Sequence, residues 1–211
     1  MEGVAKEAMR RIISCGFLVL ILTSPAPSAP VTLDQMSVDR WAKLREVERY
    51  QLNIAEKLFK KKEWKIAAAE YEKYLKLYER SEAASYAQLK WSFCQVQIRK
   101  LNTAIKDGFQ SVIDYWPDSP DAISAGYYIG QTYKNMGDLP AAKKAYDKVV
   151  KKHPKHFAAL MARMDMIDIA TQEKDDDRRI ELLKEVTFSV ERTRQTSRYC
   201  VSAARQLTQH H

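Results

Sequence analysis

His153 and His156 bracket Pro154, a spacing that would let two imidazoles approach one metal ion, but no carboxylate or thiol stands beside them to complete a ligand set. The pair reads as a solvated helix junction, and no metal is expected. Asp165 and Asp168 lie three residues apart on one face of a helical stretch. General acid/base pairs use that spacing, and surface charge uses it far more often. Neither a Gly-rich phosphate loop, a nucleophile elbow nor a His-Glu-x-x-His pattern occurs. The chain also lacks Cys-x-x-Cys and Asn-x-Ser/Thr. Cys94 and Cys200 stand far apart on apolar helical faces and read as two buried thiols rather than a disulfide framework. No enzyme is expected and no cofactor is implied, which leaves binding.

The elements that would position a binding surface are helices. Only 6 Gly and 7 Pro occur in 211 residues, and several precede Val31, so the rest is nearly free of helix breakers and a β-sandwich or barrel is not expected. An apolar content of 45% is enough for a core, while 29% charged residues and a mean hydropathy of −0.47 exclude a polytopic membrane protein. The net charge of +8 and pI of about 9.3 permit attraction to anionic surfaces. Basic residues alternate with acidic ones, however, as in Lys60-Lys61-Lys62-Glu63-Trp64-Lys65. Such faces are solvated rather than gathered into one stripe, and no nucleic-acid partner is expected.

Residues 1–30 read as a secretory signal peptide or, if uncleaved, a signal anchor that would tie the chain to a membrane. Arg10-Arg11 precede the apolar run from Ile12 to Thr23, which is too short to span a bilayer and is followed by small residues and prolines. Cleavage after Ser28 would leave Ala26 and Ser28 at the two small-residue positions. Cys15 stands near the start of the apolar run rather than after it, so a lipoprotein acylation box is not met.

Internal similarity organises the remainder. Pro117 and Pro154, 37 residues apart, each close a helical pattern. Before the second proline, Gly130, Tyr133, Gly137, Ala142, Tyr146, Val149 and Pro154 fall at positions 8, 11, 15, 20, 24, 27 and 32 of a 34-residue pattern. Gly130 and Ala142 are small, which lets two helices approach, and Tyr133 and Tyr146 fill the space around that contact. Gly137-Asp138 makes the turn, Pro140 sits in the first turn of the second helix, and Pro154 stops it. This order resembles the tetratricopeptide repeat. A weaker copy precedes it, with Leu89, Phe93 and Val96, then Phe109, Val112 and Pro117; Phe93 replaces the small residue. Before that, Ala55 and Ala67 restore the small contact beside Tyr71 and Tyr74. A degenerate fourth copy holds Leu160, Met164, Ile167, Ile180 and Leu183, turned by residues 173–177.

The expected fold is therefore all-α, a TPR-like α-solenoid of about four antiparallel helix hairpins over 48–187, namely 48–81, 86–120, 121–156 and 157–187. A linker and N-terminal helix extension at 31–47 precede them, and a C-terminal capping helix at 188–211 follows. Ser37 caps the extension, in which Trp41, Leu44, Val47 and Leu52 recur at helical spacing, so it should run into the first hairpin. Tyr199, Val201 and Leu207 give the capping helix its apolar face. The junction Tyr115-Trp116-Pro117-Asp118-Ser119-Pro120-Asp121-Ala122, where Asp118 or Ser119 caps the next helix, resembles the bacterial cell-envelope branch of the family. That branch includes the lipoprotein of the outer-membrane β-barrel assembly machinery and the Tol-Pal-associated periplasmic coordinator.

The resemblance implies that the first helices of successive hairpins line a concave groove, in which positions 2, 5, 9, 12 and 13 of each repeat hold a peptide. Carried onto this chain, those positions give Leu52, Glu56 and Phe59; Lys90, Cys94 and Gln97; Tyr127, Gln131 and Lys134; and Met161, Asp165 and Asp168. Two lysines with an amide between them suit capture of a carboxylate. The bland reading is that Tyr127 and Tyr128 pack on a neighbouring hairpin and that Met161, Met164 and Met166 fill the core. Lys143, Lys144, Lys148, Lys151 and Lys152 fall on a second helix, where they solvate the convex face.

The function these readings imply is an exported, non-catalytic scaffold or adaptor, periplasmic or otherwise associated with a bacterial cell envelope, that binds a partner protein or peptide. The alternative is a basic protein associating with anionic envelope polymer or lipid headgroups.

Overall fold

In a computed structural model, residues 32–209 are described, and the proposed signal or anchor at 1–30 lies outside them. The described residues form helices only, joined in antiparallel pairs. A short α1 (Val38–Lys43) precedes the first hairpin, α2 (Glu46–Lys60) and α3 (Trp64–Leu77). The second hairpin is α4 (Ala84–Gln97) and α5, which runs over 101–115 and contains a π-helical stretch, Ala104–Phe109. The third is α6 (Pro120–Met136) and α7 (Leu139–Lys152). The fourth is α8 (Phe157–Glu173) and α9, which starts at Asp176 and ends in a π turn, Glu185–Ser189. Finally, α10 (Ser197–Gln209) packs on α9. This is the TPR-like α-solenoid expected from the repeats. None of the described helices is long and apolar enough to cross a membrane.

Local chemistry explains the boundaries. Ser119 caps α6 by accepting from the Ala122 amide at 3.1 Å, with Pro120 in the first turn, where a missing N–H costs nothing. Asp138 caps α7 through the Ala141 amide at 3.0 Å. The turns inside the four hairpins share one device, a residue with positive φ: Lys62 at 63°, Arg99 at 65°, Gly137 at 81° and Lys174 at 58°. Only at Gly137 does the residue type suit the left-handed conformation.

Apolar side chains gather between successive hairpins in three clusters. Ala55, Ala67, Tyr71, Ala142 and Tyr146 are fully buried, as their repeat positions require. A Cβ added at Gly130 would lie 2.5 Å from the Tyr146 ring, so the third hairpin closes only on glycine. Cys94 and Cys200 are free and buried.

Two expectations need correction. The N-terminal extension does not continue into the first hairpin: α1 ends at Lys43, Leu44 after it is extended with ψ of 141°, and α2 restarts behind Arg45. Leu44 turns into the core while Val47 is exposed, because the break changes the helical phase between them. Ser37 does cap α1, accepting from the Arg40 amide. In α10, Val201 is also exposed, whereas Tyr199 and Leu207 pack with Ala203 at four-residue spacing on the α6–α8 cluster, as expected, and Cys200 is buried beside them.

Candidate functional site

The first helices α2, α4, α6 and α8 supply the residues that the repeat positions assign to a groove, and the structure sorts these into three kinds. Leu52 and Cys94 are fully buried and Tyr127 is only 4% exposed, so these three are core. Burial pushes the Cys94 thiol up to about 12, which leaves it protonated and unreactive at neutral pH. Met161 is half-buried against the apolar cluster, as is Met164, and Met166 is buried within it.

The second kind is polar but already paired. Glu56 accepts the hydroxyls of Tyr71 at 2.7 Å and Tyr86 at 2.9 Å, which ties α2 to α3 and α4. Burial first, and the Glu56 charge second, hold both phenols far above their ordinary pKa. At the other end, Lys134 donates to Asp165 at 2.7 Å and to Asp168 at 3.2 Å. Asp165 also accepts the Tyr146 hydroxyl at 3.0 Å. Burial alone would lower the Lys134 ammonium, but the two carboxylates outweigh it and raise its pKa. Gln131 donates to the Tyr127 hydroxyl at 3.2 Å. Asp165 and Asp168 thus serve as a bridge between hairpins, not as an acid/base pair.

The third kind is engaged by a segment of the same chain. Lys90 is 4% exposed; its Nζ stands 3.7 Å over the Phe59 ring and 3.8 Å from a carboxylate oxygen of Asp34. A buried ammonium needs such partners, since stripping its hydration is otherwise costly. The capture of a carboxylate expected at Lys90 therefore occurs within the molecule. Gln97 stays exposed at the end of α4.

Sequence reasoning did not find the strongest polar site on this face. Arg40 donates through Nη2 to Asp121 Oδ2 at 2.7 Å, the Glu82 carbonyl at 2.7 Å and Ser85 Oγ at 3.1 Å. Ser85 in turn donates to Asp121 at 2.6 Å, so a guanidinium, a hydroxyl and a carboxylate satisfy one another. Arg40 and Asp121 are 81 positions apart, and no local spacing announces the pair. The signal present was Asp121 itself, an acid directly behind Ser119-Pro120 that does not cap the helix it begins. Around this network the residues before α1 run along the starts of the first helices. Thr32, Leu33 and Gln35 line a cleft with Pro120, Ser124 and Phe157. Leu33 packs with the α6–α8 cluster, Met36 and Trp41 with the α2–α4 cluster. Ser124 stands at position 2 of its repeat, one of the family's groove positions.

The two histidines have separate duties. His156 Nδ1 accepts the Ala158 amide at 3.1 Å and caps α8, so it is not available to a metal. Its pKa is lowered by burial and then by His153. Among the described residues no three His, Cys, Asp or Glu side chains are grouped to hold an ion.

Residues 124–156, which cover most of α6, all of α7 and the junction after it, match the tetratricopeptide repeat family. No curated protein matches the chain.

Proposed function

We propose that this protein is an exported, non-catalytic scaffold of a bacterial cell envelope that holds a segment of a partner protein along its first helices. The leader pattern at 1–30 and the junction at 115–122 support the compartment, and the matched repeat at 124–156 supports the scaffold class. A leader left uncleaved would hold the same scaffold at the membrane.

One observation carries the binding mode: the face of the first helices already accommodates the chain's own residues 32–40, a turn at 33–34 followed by the start of α1. That segment contributes an apolar side chain at Leu33, a carboxylate at Asp34 received by Lys90, and a guanidinium at Arg40 received by Asp121 and Ser85. A partner segment with an apolar–acidic pair followed within two turns' length by an arginine would meet the same groups. Because the segment is tethered, its effective concentration is of millimolar order, and a partner must displace it.

The test is a labelled peptide of residues 32–43, titrated by fluorescence anisotropy into full-length chains. Wild type should bind it weakly. Arg40→Ala, which loosens the tethered segment, should bind at least about tenfold more tightly, and adding Lys90→Gln should abolish that gain. No binding to Arg40→Ala, or binding indifferent to Lys90→Gln, would contradict the reading.

A further inference from the structure

On the face opposite the first helices, each pair of neighbouring hairpins leaves a furrow between its second helices, floored by a first helix. The three furrows differ in charge. Between α7 and α9, Lys143 is bonded to Glu173 at 2.8 Å, and Arg178 lies 3.9 Å from Asp147. Between α3 and α5, Glu72 stands among the lysines and is bonded to Lys76 at 2.7 Å. These rims are at least partly neutralised by acids that line the same furrow.

The furrow between α5 and α7 is not. Its walls and floor include Ile105, Ile113, Ile123, Ile129 and Val149, and no acid lines it. Ala122 and Gly126 hollow the floor. Along one rim stand Lys144, Lys148 and Lys152, one helical turn apart and exposed, and none of the three has an ion-pair partner among the described residues. The only polar side chain on the opposite wall, Gln110, spends its amide on Asp114 at 2.8 Å. The volume is about 470 Å³, inside the roughly 300–1,000 Å³ range of small-molecule sites. That is too small for a docked helix, and the floor is too apolar for a polar metabolite.

We infer that this furrow binds a single-chain amphiphile with an anionic head, its acyl chain laid along the isoleucines and its head at the lysine rim. Charge complementarity fixes the sign of the head, and the apolar floor between α5 and α7 fixes the tail. Carboxylate and phosphate heads present the same chemistry to three ammonium groups, so a fatty acid and a lysophospholipid are both members of the class. The site is separate from the groove face and stands whether or not that face binds a partner.

Calorimetric titration of the full-length protein with octanoate, decanoate and dodecanoate, below their critical micelle concentrations, tests it. One site per chain is expected, with affinity rising about fourfold per added CH₂ until the furrow is filled. Dodecanol, which has the tail without the charge, should bind about tenfold more weakly. Lyso-phosphatidylglycerol forms a second arm: the tighter of the two heads identifies the source. The triple variant Lys144→Gln, Lys148→Gln, Lys152→Gln should weaken dodecanoate about tenfold with an unchanged thermal midpoint, and should leave binding of the 32–43 peptide untouched. Ala145→Phe, which fills the furrow from α7, should abolish binding of every chain length. Equal affinity for dodecanol and dodecanoate, indifference to the triple variant, or adsorption to anionic vesicles without binding of any monomeric amphiphile would overturn the inference.

Discussion

In the third hairpin the close approach of the two helices occurs at Gly130 on the first helix, under the ring of Tyr146 on the second. In the second hairpin the partners are exchanged: the glycine is Gly108, on the second helix, and a Cβ there would lie 2.5 Å from Ser92 Oγ on the first. Phe93 and Phe109 occupy the positions where the third hairpin has Gly130 and Tyr146, and their rings meet edge to face at 5.4 Å. Two large rings at that contact force the close approach one residue along each helix. The π-helical stretch Ala104–Phe109 absorbs the change, since one residue more per turn rotates the remainder of the helix about its axis. A repeat can thus keep its hairpin while moving its small-residue contact, and a search by fixed positions sees the third hairpin clearly and the second poorly. The same π stretch contributes Ile105 to the furrow proposed as the amphiphile site, and Ile113 on the last turns of α5 joins it there.

The comparison can be broken most severely at its two glycines. Gly130→Ala should destabilise by about 3 kcal/mol, because the new methyl meets a buried ring that has nowhere to turn. Urea unfolding followed by circular dichroism measures it. Gly108→Ala should cost less, about 1–2 kcal/mol, since it meets a small side chain and gains helix propensity. Ser92→Gly should relieve the Gly108 variant and leave the Gly130 variant unchanged; relief of both, or neither, would dissolve the distinction.

The junctions that follow these two hairpins differ as well. Ser119 caps α6 with a hydroxyl, whereas His156 caps α8 with an imidazole nitrogen that must be unprotonated to accept. Burial and the neighbouring His153 depress the His156 pKa below its ordinary 6.5. The unfolded state therefore takes the proton first, so the cap's contribution is whole above about pH 6.5 and is lost as pH falls through the lower folded value. The loss should be about 1 kcal/mol between pH 7.5 and 5, and His156→Ser should remove this part of the pH dependence of the thermal midpoint. The smallest effect lies in the turns. Arg99 holds φ at 65° where the third hairpin has Gly137, so Arg99→Gly should stabilise by about 0.5–1 kcal/mol, while Gly137→Ala should lose a similar amount.

This asymmetry explains what the amino-acid sequence made legible. The third hairpin carries glycine at both the positions that demand it, and its match as a tetratricopeptide repeat follows from the same residues. The turns at Lys62, Arg99 and Lys174 have the same backbone without the residue that signals it. The buried thiols were readable from apolar faces. Among the positions assigned to a groove, the repeat pattern could not separate Leu52 and Tyr127, which packing removes from the surface, from Lys90, which the N-terminal segment covers. The Arg40–Ser85–Asp121 network joins three helices over long separations, where periodicity carries no information.

The central claim, that the first helices form a site for a peptide segment, is tested most directly by a photo-cross-linker. Benzoylphenylalanine in place of Phe157, an aromatic that lines the cleft beside Leu33, should label residues 32–37 of the same chain. Excess 32–43 peptide added to the Arg40→Ala form should then take the label in trans. Labelling confined to α5 or α7, with the peptide untouched at saturating concentration, would contradict the account.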